Sequence, residues 1–351
     1  MGFSIRKISS GSLSLCALVC AAMFSGCTGE APAPDKLAFD GKTMGTTYQV
    51  TVAQPPADTE QATIGREIAA ILERIEGRMS TYRPESELSR FNREQLTEWI
   101  GLSAETVTVV AAAQEISQRS DGAFDVTVAP LVNLWGFGPN PRPAEPPTAD
   151  EITAALAEVG YQQLGVRRTP PALRKQHGTL SVDLSAIAKG YAVDQVAEAL
   201  ARRGFRHLLV DVGGELRALG NNPEGKHWRI AIETPGARQG AFQQILAATN
   251  VGVATSGDYR NYFEKDGRRY SHTIDPRSGR PIEHRLASVT VLAESAMQAD
   301  GLATALMVMG PDKGQQLAER EGIAALFIIR HADGFKERHT SALKNYLVPK
   351  S

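Results

Sequence analysis

Apolar and polar residues alternate with period two at Tyr48, Val50 and Val52, which predicts a strand that Pro55-Pro56 ends. The period then lengthens. From Glu60 to Met79, the residues Ile64, Ile68, Leu72, Ile75 and Met79 form one stripe of an amphipathic helix. Ser103 is placed to cap a second helix running to about Gln118. Asp121 to Leu134 combines Gly, Pro and a β-branched alternation, so it reads as loop, strand and turn. Pro139 to Pro147 reads as a surface connection, and Ala149 to Val159 as a short helix.

Further on, Leu180 to Leu184 reads as a short strand feeding a helix from about Ala186 to Arg203, which Gly204 stops. Leu208 to Val212 is an apolar strand followed by Gly213-Gly214. Alternation predicts strands at Trp228, Ile230 and Ile232, and at Val289 and Val291. Ala296 to Met309 reads as a helix closed by Gly310-Pro311, and Ile323 to Ile329 as a buried strand. Strands and helices mix without regular βαβ alternation. This favours an α+β fold, a mixed or antiparallel sheet core with packed helices, over a doubly wound sheet.

The N-terminus differs from the rest. Arg6 and Lys7 precede an apolar run from Leu13 to Phe24, which ends in Ser25-Gly26-Cys27. A run of about a dozen residues is short for a span of roughly 20. It resembles a bacterial lipoprotein signal, with Phe24 where that pattern usually has Leu. On this reading residues 1–26 are removed, Cys27 carries lipid, residues 27–38 form a tether and residues 39–351 fold. Cys16 and Cys20 leave with the signal, so the mature chain has one cysteine and no internal disulfide. The expected location is periplasm-facing, on the inner or outer membrane; Thr28 rather than Asp after the cysteine points to the outer one by analogy with enteric sorting. A net charge of −1 gives no reason to expect a nucleic-acid surface.

Several segments carry candidate chemistry. Asp300 and Thr304 stand four apart in a helical run, on one face, and offer two hard oxygens suited to Mg²⁺. DLSAIAKGYAVD, from Asp183, crosses from a strand into a helix whose N-terminus favours a diphosphate; Lys189 in its first turn is either an anion ligand or a solvated surface lysine. Asp211 precedes Gly213-Gly214-Glu215, a turn or a close approach to ligand. His272, within YSHTIDP, is a candidate general base or a structural histidine. Gly257-Asp258-Tyr259 decides nothing alone, and Glu283-His284 lacks zinc-ligand spacing. G-x-G-x-x-G, G-x-S-x-G and Walker A patterns do not occur.

In order, MGTTY from Met44, STYRPESELSRFN from Ser80, GAFDVTVAPLVNLWGFG from Gly122, DLSAIAKGYAVD, LVDVGGE, SGDY, YSHTIDP and MQADGLATALMV resemble the FAD:protein FMN transferase family, the ApbE-type flavin transferases. The resemblance runs from about Phe39 to the C-terminal region. It implies flavin-nucleotide contacts at Met44, Tyr82, Ala123, Phe124, Asp125, Asp183, Lys189 and Ile274. It implies Mg²⁺ on the Asp300 and Thr304 side chains and the Ala186 carbonyl, with His272 as base. Some members carry a further carboxylate where this chain has Ala303, which leaves a second metal unsupported. The implied reaction moves FMN from FAD to a Ser or Thr hydroxyl and releases AMP. The acceptor segment is of the Asp-x-x-Ser/Thr-Gly-Ala-Ser/Thr type, in membrane redox-pump or electron-transfer flavoproteins. Competing readings are an FAD diphosphatase, a non-catalytic flavin-binding lipoprotein and a solute-binding lipoprotein.

Overall fold

The structure, a computed structural model, describes residues 36–139, 145–236, 242–259 and 261–348. The expected signal, Cys27, most of the tether and part of the Pro139–Pro147 connection lie outside these residues. Eight strands make the central sheet: β1 (Lys36–Thr43), β2 (Thr46–Ala53), β3 (His207–Val212), β4 (Glu215–Leu219), β5 (Val251–Gly257), β6 (Leu286–Ala293), β7 (Ala324–His331) and β8 (Gly334–His339). Each pairs antiparallel with the next, so spatial order follows chain order. The expected α+β class is what folds, with an antiparallel core. β1 starts at Lys36, inside the stretch assigned to the tether.

Between β2 and β3 lie α1 (Gln61–Met79), α2 (Glu87–Arg93), α3 (Ala104–Arg119), α4 (Ala129–Leu134), α5 (Ala149–Leu156) and α6 (Ala188–Arg202). The last, α7 (Ala296–Arg320), links β6 to β7. The stripe read on α1 is buried as expected, and Ser103 caps α3 by accepting the Thr106 amide at 3.3 Å. Side chains alternate across a strand. Leu208, Val210 and Val212 therefore pack with Val193 and Val196 of α6 and Leu302 and Leu306 of α7 in the main core. Leu209 points the other way, against a second core. There a hairpin of Trp228–Glu233 and Phe242–Ala248 buries Trp228, Ile230 and Ile232. A third, smaller core joins Leu131, Trp135 and Ile152 to Ile274.

Two expectations of local structure fail for identifiable reasons. Leu180 to Leu184 is not a sheet strand. The Asn92 side chain takes the place of a neighbouring strand: its Nδ2 donates to the Val182 carbonyl and its Oδ1 accepts the Val182 amide, both at 2.8 Å. Asp121 to Leu134 contains α4 in place of the expected strand. Pro130 sits in the first turn of α4, where its missing amide costs nothing.

Helix limits also shift. Asp183 Oδ1 accepts the Ser185 amide at 2.8 Å, an Asx turn that competes with helix, and α6 begins at Ala188. Gly310 leaves the helical region as expected, at φ 79° and ψ 178°, but the chain re-enters helix from Pro311 to Arg320.

Candidate active site

At one end of the sheet a cavity of about 1210 Å³ opens, above the usual ~300–1,000 Å³ of small-ligand pockets. Every residue assigned a nucleotide, metal or base role by resemblance borders it: Met44, Tyr82, Ala123, Phe124, Asp125, Asp183, Ala186, Lys189, His272, Ile274, Asp300 and Thr304. Turns and helix ends deliver most of them, because only there does the backbone stop pairing with itself.

Two helices meet in unusually close contact beneath the cavity. A Cβ at Gly190 of α6 would lie 2.3 Å from the Ala296 carbonyl oxygen of α7. Gly190's amide, which a continuous helix would direct to the Ala186 carbonyl, donates instead to Asp300 Oδ2 at 3.1 Å. Asp194, one turn further along α6, accepts the Ala296 and Met297 amides, both at 2.9 Å. These are orphan donors of the first turn of α7, so α6 caps α7 across the interface. Thr304 follows Asp300 by one turn, and its Oγ1 shares a hydrogen bond with Ser256 Oγ of β5 at 3.1 Å.

The electrostatics centre on Lys189. Its Nζ lies 2.5 Å from Glu215 Oε2, so the solvated-lysine reading is excluded. Burial opposes its charge, but Asp300, Glu215 and Asp211 outweigh burial and hold it above the ordinary lysine range. Burial pushes Glu215 up to about 7, against the pull of Lys189. Burial likewise raises Asp300, with Lys189 and the Gly190 amide opposing, and raises Asp211. Three carboxylates around one ammonium leave an excess of negative charge that a cation would relieve.

The residues present suit Mg²⁺. Asp300 has an oxygen beyond the one that Gly190 occupies, the Ala186 carbonyl lacks its helical donor, and the Thr304 hydroxyl stands a turn from Asp300. Among the described residues no three His, Cys, Asp or Glu side chains cluster as a metal cage. A few hard oxygens completed by water and phosphate match the way Mg²⁺ is usually held.

The remaining positions divide into walls and working groups. His272 Nδ1 lies 2.9 Å from the Asn261 carbonyl, which can only accept, so Nδ1 carries the proton and Nε2 keeps its lone pair. Burial lowers its pKa, keeping the ring neutral near pH 7. Ala123, Phe124 and Ile274 are buried wall residues, and Tyr82 is exposed at the mouth with Oη donating to the Phe137 carbonyl at 3.3 Å. Met44 turns between β1 and β2 at φ 47°, its amide donating to Glu76 Oε2 at 3.1 Å. Asp125 borders the cavity, but both carboxylate oxygens brace loops. Oδ1 takes the Thr127 amide and hydroxyl at 2.8 and 2.7 Å, and Oδ2 the Tyr161 amide at 2.7 Å.

Some residues carry the site without having been singled out. Glu215, Gly190, Asp194 and Asn92 all lie inside quoted motifs, which was their only signal. Glu76 had none, since the helical stripe treats it as a spacer between Ile75 and Gly77. Gly213 and Gly214 do form a turn, at φ 65° and 102°, and that turn presents Asp211 and Glu215 together. Asp258 pairs with Arg330 of β7, Nη1 to Oδ2 at 2.9 Å.

Comparison with known proteins agrees with this geometry. The model described as "ApbE family" matches residues 44–327. A Vibrio cholerae protein named FAD:protein FMN transferase is 47% identical over 333 residues, covering 95% of this chain and 98% of its own length. An Escherichia coli protein of the same name is 40% identical, covering 94% and 96%. The structure titled "Flavin Transferase ApbE from Vibrio cholerae" superposes with a TM-score of 0.83 at 47% identity, over 89% of this chain and 99% of that one. With the motif order, the fold and the cavity in agreement, the chain belongs to the ApbE family.

Proposed function

We propose that this protein is an FAD:protein FMN transferase, moving FMN from FAD to a side-chain hydroxyl of a target flavoprotein. The observation that carries the reading is the convergence of Lys189, Asp300, Thr304 and His272 on one cavity large enough for a dinucleotide. Ala123, Phe124, Ile274 and Tyr82 would wall the flavin, and Lys189 would lie against the diphosphate.

The chemistry asked of the protein is positioning and charge neutralisation. A Ser or Thr hydroxyl of the acceptor attacks the flavin-side phosphorus. His272 Nε2 takes its proton, a new P–O bond forms, and the anhydride P–O bond breaks with its electron pair leaving on AMP. Asp300, Thr304 and the Ala186 carbonyl would hold Mg²⁺, which when bound supplies positive charge to the diphosphate oxygens. The Gly190 amide and the Asp194 cap keep Asp300 aimed at that place.

We further propose that Cys27 is lipidated and tethers the catalyst at a membrane facing the periplasm, which raises its effective concentration near membrane-bound acceptors. Incubation with FAD, Mg²⁺ and a candidate acceptor domain tests the reaction. Mass spectrometry should find the acceptor heavier by one FMN with the native protein and unmodified with Asp300→Ala. Free FMN with no acceptor adduct would establish a diphosphatase instead.

A further inference from the structure

His284 stands two residues before β6, and the transfer chemistry does not use it. Its neighbours fix its tautomer. The Leu286 amide, which can only donate, lies 3.3 Å from Nδ1, so Nδ1 accepts and the neutral ring carries its proton on Nε2. That Nε2 is buried and makes no well-formed hydrogen bond among the described residues. Burial lowers the ring's pKa, and the backbone oxygens of Met307 and Val308 oppose that shift, so these are the acceptors nearest its N–H.

Those two oxygens lack helical donors because α7 is broken. In a continuous helix Met307 would accept the amide of residue 311 and Val308 that of residue 312. Residue 311 is proline and has no amide, and Gly310, at φ 79° and ψ 178°, turns the chain off the helical path before Asp312. The break and the ring are in direct contact. A Cβ at Gly310 would lie 2.7 Å from His284 Cδ2 and 3.2 Å from Nε2. Glycine thus serves there twice, adopting a backbone conformation that other residues avoid and leaving the space that the imidazole fills. The half-helix ending at this break, residues 296–309, carries Asp300 and Thr304. Asp300, Thr304 and Val308 recur every four residues, and all three border the cavity.

We infer that His284 is a positioning residue: its Nε2–H caps the free carbonyl end of the half-helix that holds Asp300 and Thr304, and fixes that end against the start of β6. The inference rests on the transfer reading above for what the half-helix does, and on the break at Gly310-Pro311 for how it is held. Gly190 and Asp194 secure the same half-helix from its N-terminal side. His284 completes the support at the end where proline has removed a donor. Without it the last turn frays, and the face that carries Thr304 moves with it.

Two variants of the full protein separate the cap from the local turn at Leu286. The side chain of His284→Gln is long enough to return an N–H to the Met307 and Val308 carbonyls. That of His284→Asn keeps an acceptor for the Leu286 amide but does not reach them. Hydrogen-exchange mass spectrometry should show faster exchange across residues 296–309 in His284→Asn and native exchange in His284→Gln, with α6 unchanged in both. The Mg²⁺ concentration for half-maximal flavinylation should rise about tenfold in His284→Asn, with the rate restored at saturating Mg²⁺, and stay native in His284→Gln. Native exchange in His284→Asn, or two variants that behave alike, would overturn the cap. Faster exchange with an unchanged Mg²⁺ dependence would overturn the positioning role. The two readings fail separately. A native protein that modifies no acceptor removes the transfer reading; exchange still decides the cap, and Mn²⁺ affinity, read from its electron paramagnetic resonance signal, then decides the positioning. A protein that transfers FMN while His284→Asn exchanges normally removes only the cap.

Discussion

Gly190→Ala should damage this protein in a way that the same change elsewhere does not. The new Cβ would stand 2.3 Å from the Ala296 oxygen, 2.6 Å from its carbonyl carbon and 2.8 Å from Met297 Cα. All three are backbone atoms, so no side chain can swing away. Restoring ordinary contact of about 3.4 Å requires α6 and α7 to separate by roughly 1 Å, an overpacking cost of about 3 kcal/mol at the upper end of its usual range. Alanine's better helix propensity offsets about 1 kcal/mol, leaving a net loss of about 2 kcal/mol. In a domain of this size that lowers Tm by about 4 °C.

Activity should suffer more than stability, because the separation stretches the Gly190 to Asp300 hydrogen bond and moves Asp300. A displacement of about 1 Å in a positioning element costs on the order of 10²-fold in rate. Gly77→Ala is the matched control. Gly77 lies inside α1 with nothing within 4 Å of its added Cβ, so the change should raise stability by up to about 1 kcal/mol and leave turnover alone. Differential scanning calorimetry and initial rates of acceptor flavinylation give both readouts. Native Tm and native rate in Gly190→Ala would refute the close-contact argument.

Three further outcomes follow from the site. Asp300→Asn removes the main anionic ligand of the proposed metal site, so the Mg²⁺ concentration for half-maximal flavinylation should rise at least tenfold; an unchanged Mg²⁺ dependence would place the metal elsewhere. Burial holds His272 below the ordinary histidine pKa, so kcat/KM should rise with pH on a limb below about 6.5 and level off by neutrality. His272→Ala should abolish that limb and lower the rate ~10²- to 10⁴-fold, and a limb that persists would assign the proton to another group. Burial raises Asp194 from 3.8 to about 6, so the folded state holds its proton more tightly than the unfolded chain. That contribution is fully present below about pH 4 and is lost as pH rises through 6, on the order of 3 kcal/mol. Asp194→Asn should flatten this part of the urea-unfolding profile, and parallel native and variant profiles would contradict it.

The legible parts of the fold were those governed by local repetition. The α1 stripe, the alternation at Trp228, Ile230 and Ile232, and the Ser103 cap each follow from spacing that one element imposes on its own side chains. Misreadings fell where a distant residue overrode local pattern. Leu180 to Leu184 has a strand's alternation, but its partner is the Asn92 amide, about ninety residues away in sequence. The α4 segment read as strand because its β-branched residues outweighed the helix-start signal of Pro130.

The amino-acid order alone determined the α+β class, the helices α1, α3 and α6, the strands β2, β3, β6 and β7, the family resemblance and a list of candidate side chains for a nucleotide diphosphate. It could not decide which of those side chains act on a ligand and which brace the protein. Asp125 and Asp300 look alike in a string of letters, yet one carboxylate closes loops at Thr127 and Tyr161 while the other accepts one amide, from Gly190, and borders the cavity within reach of the charge on Lys189. Tertiary structure made that choice, because the charge state and free lone pairs of a carboxylate depend on which amides, ammonium groups and water the folded chain brings within a few ångströms of it.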